Sequence, residues 1–291
     1  MATKTWIGNN GGNEGDWATA ANWSASGVPA SGDDLMFDGN ANNDVLLTNQ
    51  PAGGADDFDS ITITSDFEYN FGTAAGPVVF SPSSDNGADV LRIDASGCPT
   101  YCRISGLFPD ATILDSGTAA TACELTGTYT LLNLIKGTIT MVTGCTITTG
   151  NILYSSTPAS DVTLTIPASC TITNLYQRGG SVTSSSAVAT RLDMDAGTFT
   201  HSAGNMATLN MRGGSYYWNG EGTTLAKANL FGGTFDTRNN GVAKTITNMD
   251  VWPTATVYLN NGGKNITLTN AANYYGGTLV FDKGSGFQIN Q

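Results

Sequence analysis

The sequence predicts an all-β protein, a right-handed parallel β-helix (a β-solenoid) of about ten coils whose N-terminal end is closed by a Trp-rich cap. Three observations predict this class. A short phrase recurs in the second half of the chain, an apolar position recurs about every 20 residues, and four cysteines recur with nearly the same period. Helical-pair repeats are longer than this, so short strands are the expected building blocks.

The recurring phrase is an apolar residue, a polar one, another apolar one, two variable positions, then Gly, Thr or Ser, and an aromatic residue. It occurs at 192–199, 209–216 and 228–235, and its glycine therefore steps by 17 and then by 19 residues. Alternation of apolar and polar residues predicts a strand, and the glycine predicts a bend after it. Each phrase is therefore expected to form part of one coil, stacked about 4.8 Å from the next.

A second apolar position precedes each phrase and extends the pattern upstream and downstream. It recurs in steps of 16 to 25 residues. We expect its members to stack in one inward column: Ile104, Leu125, Ile147, Ile172, Val188, Met206, Leu225, Ile246 and Ile266.

Four of the five cysteines share this period. Cys102, Cys123, Cys145 and Cys170 are spaced by 21, 22 and 25 residues, which predicts a buried structural ladder, because free Cys packs as a small hydrophobe. Cys98 makes the total odd, whereas a disulfide framework is normally even. A redox or zinc role has no supporting histidine nearby.

The first 40 residues differ from the repeats, because they contain Trp6, Trp17 and Trp23. A solenoid must cover the open edge of its first coil, so residues 1–50 are expected to form the cap and residues 51–291 a single elongated β-helix. The alternative is that these tryptophans form a surface that binds carbohydrate or a partner. The series Trp-x-Gly, Asp-Trp, Asn-Trp-Ser, Val-Pro, Gly-Asp resembles the opening segment of parallel β-helix proteins, among them phage virion proteins and autotransporter passenger domains. The resemblance implies the fold more than any particular activity.

Charge and hydropathy exclude several partners. The net charge is −12, and residues 1–100 carry 14 acidic but only 2 basic side chains. Phosphate binding needs clustered Lys or Arg, so nucleic acid is not an expected partner. No run of 18 apolar residues predicts a membrane span. The Asp-rich segments match no calcium-loop motif, so we expect solvated turn carboxylates at Asp33, Asp34, Asp38, Asp56, Asp57 and Asp59.

One candidate surface for a glycan or a partner lies in the repeats. It is formed by acidic, basic and aromatic residues on neighbouring coils: Asp193, Asp195, Arg212, Tyr216, Tyr217 and Trp218. Two aspartates that are two residues apart on one strand lie about 6.5–7 Å apart, a separation that glycoside hydrolases also use. The neighbouring coils supply no further acid, however, and Asp195 is expected to pair with Arg212.

No catalytic chemistry is predicted. His201 is the only histidine, follows a strand, and is expected to be a lone loop or edge residue. No Walker loop, zinc signature or dinucleotide fingerprint is present. We therefore expect a protein that is not an enzyme and that has no catalytic residues, metal or cofactor.

The expected function is structural. The start of the chain lacks an apolar leader and its end lacks an anchor or translocator, which favours a virion protein assembled in the host cytoplasm. We expect a phage capsid decoration (cement) protein that docks on the major capsid protein or other virion proteins and self-associates, a trimer being one option that no sequence feature demands. The alternatives are a tail-spike or fibre-like protein that binds or cleaves surface polysaccharide, and a secreted adhesin passenger domain.

Overall fold

The chain is all-β: 61% of the residues that the structure describes lie in strands and 1% in helix. The computed structural model describes residues 2–9, 15–24, 27–46, 58–80, 90–115, 122–153, 162–186, 188–220, 223–238, 243–259, 266–281 and 289–290. The chain divides into two compact units, Met1–Thr146 and Ile147–Gln291. The division predicted from the sequence, with a cap segment over residues 1–50 and a single β-helix over residues 51–291, stays a prediction.

The described residues of the first unit form eight strands and one short 3-10 helix, Ala20–Asn22. The strands are β1 Thr3–Thr5, β2 Asp34–Phe37, β3 Ser60–Ile63, β4 Val78–Val79, β5 Val90–Asp94, β6 Tyr101–Asp115, β7 Ala122–Leu134 and β8 Thr138–Met141.

The second unit is built from the remaining strands, the first of which begins one residue before the boundary. They are β9 Thr146–Ile152, β10 Thr163–Ile166, β11 Thr171–Gln177, β12 Ser181–Ser184, β13 Val188–Met194, β14 Thr198–His201, β15 Met206–Met211, β16 Ser215–Trp218, β17 Thr223–Asp236, β18 Lys244–Tyr258, β19 Ile266–Leu268, β20 Ala272–Tyr274, β21 Thr278–Val280 and β22 Ile289–Asn290.

The pairing confirms the predicted β-solenoid. Each strand pairs in parallel with the strand one coil further along, for example β12 with β14 and β14 with β16. Parallel pairing at a constant sequence step is what a stack of coils produces. The stack has about eight turns, fewer than predicted, and its right-handedness stays a prediction. Among the described residues no helix is long or apolar enough to span a membrane.

In the first unit the parallel ladder begins with β1, which pairs with β2, and β2 pairs with β3. Strands inside the predicted cap segment therefore already belong to the stack. The outer edge of β1 is covered in part by an antiparallel bridge between Trp6 and Trp23 and by the bond from the Ser24 amide to the Thr5 carbonyl. This contact is what a cap would make, but the capping role itself stays a prediction.

Aromatic packing fills this end of the first unit. Trp23 packs edge-on against both Trp6 and Trp17, with ring centroids 5.0 and 4.8 Å apart. Trp17 also contacts Phe58 and Phe80. All three tryptophans are at most 3% exposed, so they are core residues and offer no binding surface.

The predicted apolar column is confirmed over part of each unit. It is wrong at two steps, where residues that were expected to pair on consecutive coils do not. Ile104 pairs with Leu125 in the first unit, and Leu225 pairs with Ile246 in the second. The partner of Leu125 on the following coil, however, is Met141. The extra strand β8 makes this coil only 16 residues long, so Ile147 belongs to a different face.

The second of these steps lies near the C-terminal end of the chain. Ile266 was expected to follow Ile246, but it pairs with Lys244, and Ile246 pairs with Leu268. The pairing shifts by two residues, which keeps an inward side chain inward.

The glycine of the recurring phrase forms a column at the bend between two faces of the second unit. Gly197, Gly214 and Gly233 have φ of +84°, +78° and +80°. A Cβ at each would lie 2.4–2.6 Å from the carbonyl oxygen of the glycine one coil earlier. Positive φ and this close approach both require glycine, which explains why the phrase repeats it.

Candidate functional site: an exposed stripe beside an amide ladder

The predicted cysteine ladder is correct for one pair. Cys102 pairs with Cys123 on adjacent coils, and their Sγ atoms are 4.0 Å apart. The next partner of Cys123 is Ile139, so Cys145 does not continue this column. Cys170 belongs to the second unit, where it immediately precedes β11. The physical reason is again the short coil that contains β8.

Burial and hydrogen bonding disfavour the reactive thiolate form at Cys98 and Cys102, whose pKa values are raised. All five cysteines are buried and free. Hydrogen bonding to Cys102, together with burial, raises the pKa of the Cys98 thiol. Burial likewise raises the pKa of Tyr129, beside the cluster. Thiolate is the reactive form, so these groups are poor nucleophiles and poor metal ligands. Among the described residues, no three His, Cys, Asp or Glu side chains are placed to hold a metal ion.

Two residues of the predicted glycan face are in the core instead. Tyr216 and Trp218 are fully buried on β16, whereas Tyr217 between them is half-buried and points outward. The Tyr216 ring stacks between Phe199 and Phe235, with centroid distances of 5.5 and 5.4 Å. Because side chains alternate along a strand, Tyr216 and Trp218 lie on the same side of β16. Tyr216 occupies the aromatic position of the recurring phrase, which faces the core, so both side chains point inward. The sequence prediction that all three aromatics share a surface is wrong.

His201 is a core residue of β14, and its prediction as a loop or edge residue is also wrong. It is fully buried, and its ring stacks on that of Trp218. Nε2 lies 2.7 Å from the Ala203 carbonyl oxygen, and Nδ1 lies 2.6 Å from the Tyr216 hydroxyl. A carbonyl only accepts, so Nε2 carries the proton and Tyr216 donates to Nδ1. Burial lowers the pKa of His201, which keeps the ring neutral.

The predicted acidic pair has a structural role. Asp195 pairs with Arg212 at 3.1 Å, as the sequence predicted. Asp193 is 6% exposed and accepts hydrogen bonds from Arg191 Nε at 2.8 Å and Asn210 Nδ2 at 2.6 Å. Both carboxylates therefore have partners on their own or the neighbouring coil, which links the coils through their side chains.

Asp193 begins an amide ladder on the outer face of the second unit. In-register pairing places one polar residue of each coil over the next: Asp193, Asn210, Asn229, Asp250, Asn273 and Asn290. The Asn229 amide donates to Asn210 Oδ1 at 2.7 Å, and the Asn273 amide donates to Asp250 Oδ1 at 2.7 Å. Each bond links two coils, so the ladder holds the register of the stack.

A second outward column, which we call the corner stripe, runs beside this ladder where the strands reach the bend. Each of its residues comes directly after a strand residue that pairs in register with a neighbouring coil. The stripe comprises Arg178, Asp195, Arg212, Phe231, Trp252 and Tyr275. The stripe is charged over its first three coils and aromatic over the last three. All six side chains are exposed.

The aromatic half of the corner stripe forms a continuous stack on the outside of the protein. Phe231 and Trp252 have ring centroids 5.5 Å apart, and Trp252 and Tyr275 have centroids 4.5 Å apart. Their exposed fractions are 38%, 38% and 55%. Sequence reasoning missed this stack, although each ring stands directly after Leu230, Val251 or Tyr274 and directly before Gly or Pro.

Fold and site together define a β-solenoid with an exposed stripe of charged and aromatic side chains. Comparison of the chain with protein-family models, with curated proteins and with solved structures finds no match. Function is therefore argued from the residues alone.

Proposed function

We propose that this chain is a non-enzymatic structural protein of a phage virion, a decoration protein that docks on the capsid. The observation that carries the proposal is the charge of the first unit. Residues 1–146 carry 17 acidic and 4 basic side chains, whereas residues 147–291 carry 7 and 8. Such an uneven distribution of charge orients a protein on a partner of opposite charge and accelerates their encounter.

Internal pairing leaves most of this negative charge uncompensated. Four basic side chains cannot neutralise 17 acidic ones, and two of the four form the ion pairs Arg103 with Glu124 and Lys136 with Asp115. Asp33 and Asp38 accept bonds from backbone amides, as the sequence predicted for turn carboxylates, whereas Asp34 lies in β2 and accepts a hydrogen bond from the Ser60 hydroxyl. Asp56 and Asp57 lie outside the described residues.

The mechanism is mechanical docking, followed by display of a rigid outer face. The acidic first unit would contact a basic patch on the major capsid protein. The second unit would present its amide ladder and corner stripe outward. Coil-to-coil hydrogen bonds hold this face in a fixed geometry, which lowers the entropic cost of binding.

Cryo-electron microscopy of particles from the source tests the proposal. Density for the solenoid repeated over an icosahedral shell, with the first unit against the shell, supports it. Density confined to a tail tip favours the tail-spike alternative, and absence from the particles overturns the virion assignment.

A rebinding experiment tests the role of charge. Glu68 and Asp110 are exposed acids of the first unit. The double variant Glu68→Gln, Asp110→Asn should rebind stripped particles more weakly, with a shallower salt dependence. Asp195→Asn, an exposed acid of the second unit, is the matched control and should rebind normally. Equal loss with both variants contradicts docking through the first unit.

A further inference from the structure

Among its described residues, the second unit contains a buried aromatic stack and an exposed one. The stack of Phe199, Tyr216 and Phe235 is buried and stabilises the core. Phe231, Trp252 and Tyr275 form a similar stack in solvent, where hydrophobic burial contributes least. A contiguous exposed apolar surface with polar groups at its border is typical of a binding site.

The geometry leaves part of each exposed ring face accessible. Carbon atoms in contact are about 3.5–4 Å apart, so centroid distances of 4.5 and 5.5 Å mean that the rings are offset. Trp252, Pro253 and Thr254 are all exposed, so no neighbouring segment among the described residues covers the rings on that side. The outer surface is a row of overlapping apolar rings, one for each coil.

Hydrogen-bonding groups stand beside each ring at a fixed distance. Asn229, Asp250 and Asn273 precede the three aromatic residues by two positions, a separation of about 6.5–7 Å on the same side of the strand. An amide carries two donor hydrogens and two lone pairs, and the ladder bonds use only some of them. One apolar ring and one polar group therefore recur together at each step of the stack.

We infer that this surface, the aromatic half of the corner stripe with the adjoining amide ladder, binds a linear neutral polysaccharide. A pyranose ring has an apolar face of C–H groups, which fits an aromatic ring, and peripheral hydroxyls, which fit amides and carboxylates. A linear chain laid along the stack would meet the same pair of groups on every coil. The carboxylate of Asp250 lies among these groups and disfavours an anionic sugar.

Affinity electrophoresis of the full-length protein in gels that contain laminarin, hydroxyethylcellulose, galactomannan or dextran tests the inference. At least one polysaccharide should retard the protein. Trp252→Ala should raise the apparent Kd at least about tenfold, the loss expected for a central aromatic anchor. Trp252→Phe keeps a ring in the stack and should bind within about threefold of the parent. Val79→Ala, which removes an exposed apolar side chain from the first unit, is the control and should have no effect.

Three outcomes overturn the inference. They are no retardation by any of the four polysaccharides, retardation that Trp252→Ala leaves unchanged, and Trp252-dependent self-association in sedimentation without retardation. Tyr275→Ala, at the end of the stack, should lower affinity with less risk to folding, so misfolding of one variant leaves the test intact. Glycan binding is measured on purified protein, so its result is independent of where the protein resides.

Discussion

At the scale of single residues, the bends of the second unit depend on glycine. The Gly214 backbone has φ of +78°, and a Cβ there would lie 2.5 Å from the Gly197 carbonyl oxygen. Neither condition is relieved by moving a flexible side chain, because the obstacle is backbone.

Gly214→Ala should therefore lower the free energy of unfolding by about 2 kcal/mol or more, the sum of left-handed strain and displacement of the neighbouring coil. Urea denaturation followed by circular dichroism measures the change. Gly179→Ala is the matched control, because a Cβ at Gly179 meets nothing within 4 Å. Similar stabilities for both variants would contradict the close-approach argument.

His201 couples folding to pH at a single site. Its folded pKa lies below the ordinary value of 6.5, because burial disfavours the charged ring. The unfolded chain therefore binds the proton more readily. Stability contributed by the neutral ring is fully present above pH 6.5 and is lost as the pH falls towards the folded pKa.

We expect the free energy of unfolding to decrease between pH 7 and pH 5, with a slope of at most about 1.4 kcal/mol per pH unit. Urea midpoints at several pH values measure it. The chain has one histidine, so His201→Gln should flatten the slope even where it lowers stability overall. If the free energy of unfolding depends on pH to the same extent in the variant, the dependence comes from carboxylates and the prediction for His201 is wrong.

At the scale of elements, register is held by side chains that repeat once per coil. Asn210 is a central member of the amide ladder, because it donates to Asp193 and accepts from Asn229. Asn290 is a terminal member with one bond of 3.3 Å. The two residues therefore offer the same chemistry with different numbers of contacts.

Asn210→Ala should lower the free energy of unfolding by about 1–2 kcal/mol, since each hydrogen bond contributes about 0.5–1.5 kcal/mol. Asn290→Ala, the control, should change it by less than about 0.5 kcal/mol. Thermal and urea unfolding compare the two. Equal effects would show that the ladder contributes little to the stack.

At the scale of the whole molecule, most indole rings are buried. Four of the five tryptophans are at most 3% exposed, and Trp252 is 38% exposed. Fluorescence therefore reports on the corner stripe against a background of core residues.

Acrylamide should quench mainly one emission component, with a maximum at long wavelength. Trp252→Phe should remove most of the quenchable fraction and shift the remaining emission to shorter wavelength. A variant that stays strongly quenched would place Trp6, Trp17 or Trp23 in solvent and would revive the alternative that the N-terminal tryptophans form a binding surface.

Much of the architecture could be predicted from sequence because the solenoid is nearly one-dimensional. The alternation within Leu192–Met194 and the glycine at 197 are local properties that repeat, so strand, bend and coil follow from the chain alone. The pairings Cys102–Cys123 and Asp195–Arg212 followed for the same reason.

The tertiary structure alone decided which coil and which face each residue occupies. Because the coil that contains β8 is short, Cys145 and Ile147 lie on a different face from the one predicted. Residues that recur with the same period in the sequence therefore do not always stack in the same column. In the folded chain Tyr216 and Trp218 are buried, whereas Phe231, Trp252 and Tyr275 are exposed. These outcomes depend on the combined lengths of all the preceding bends, which is a non-local property. The repeat that specifies each coil is, by contrast, a local feature of the sequence.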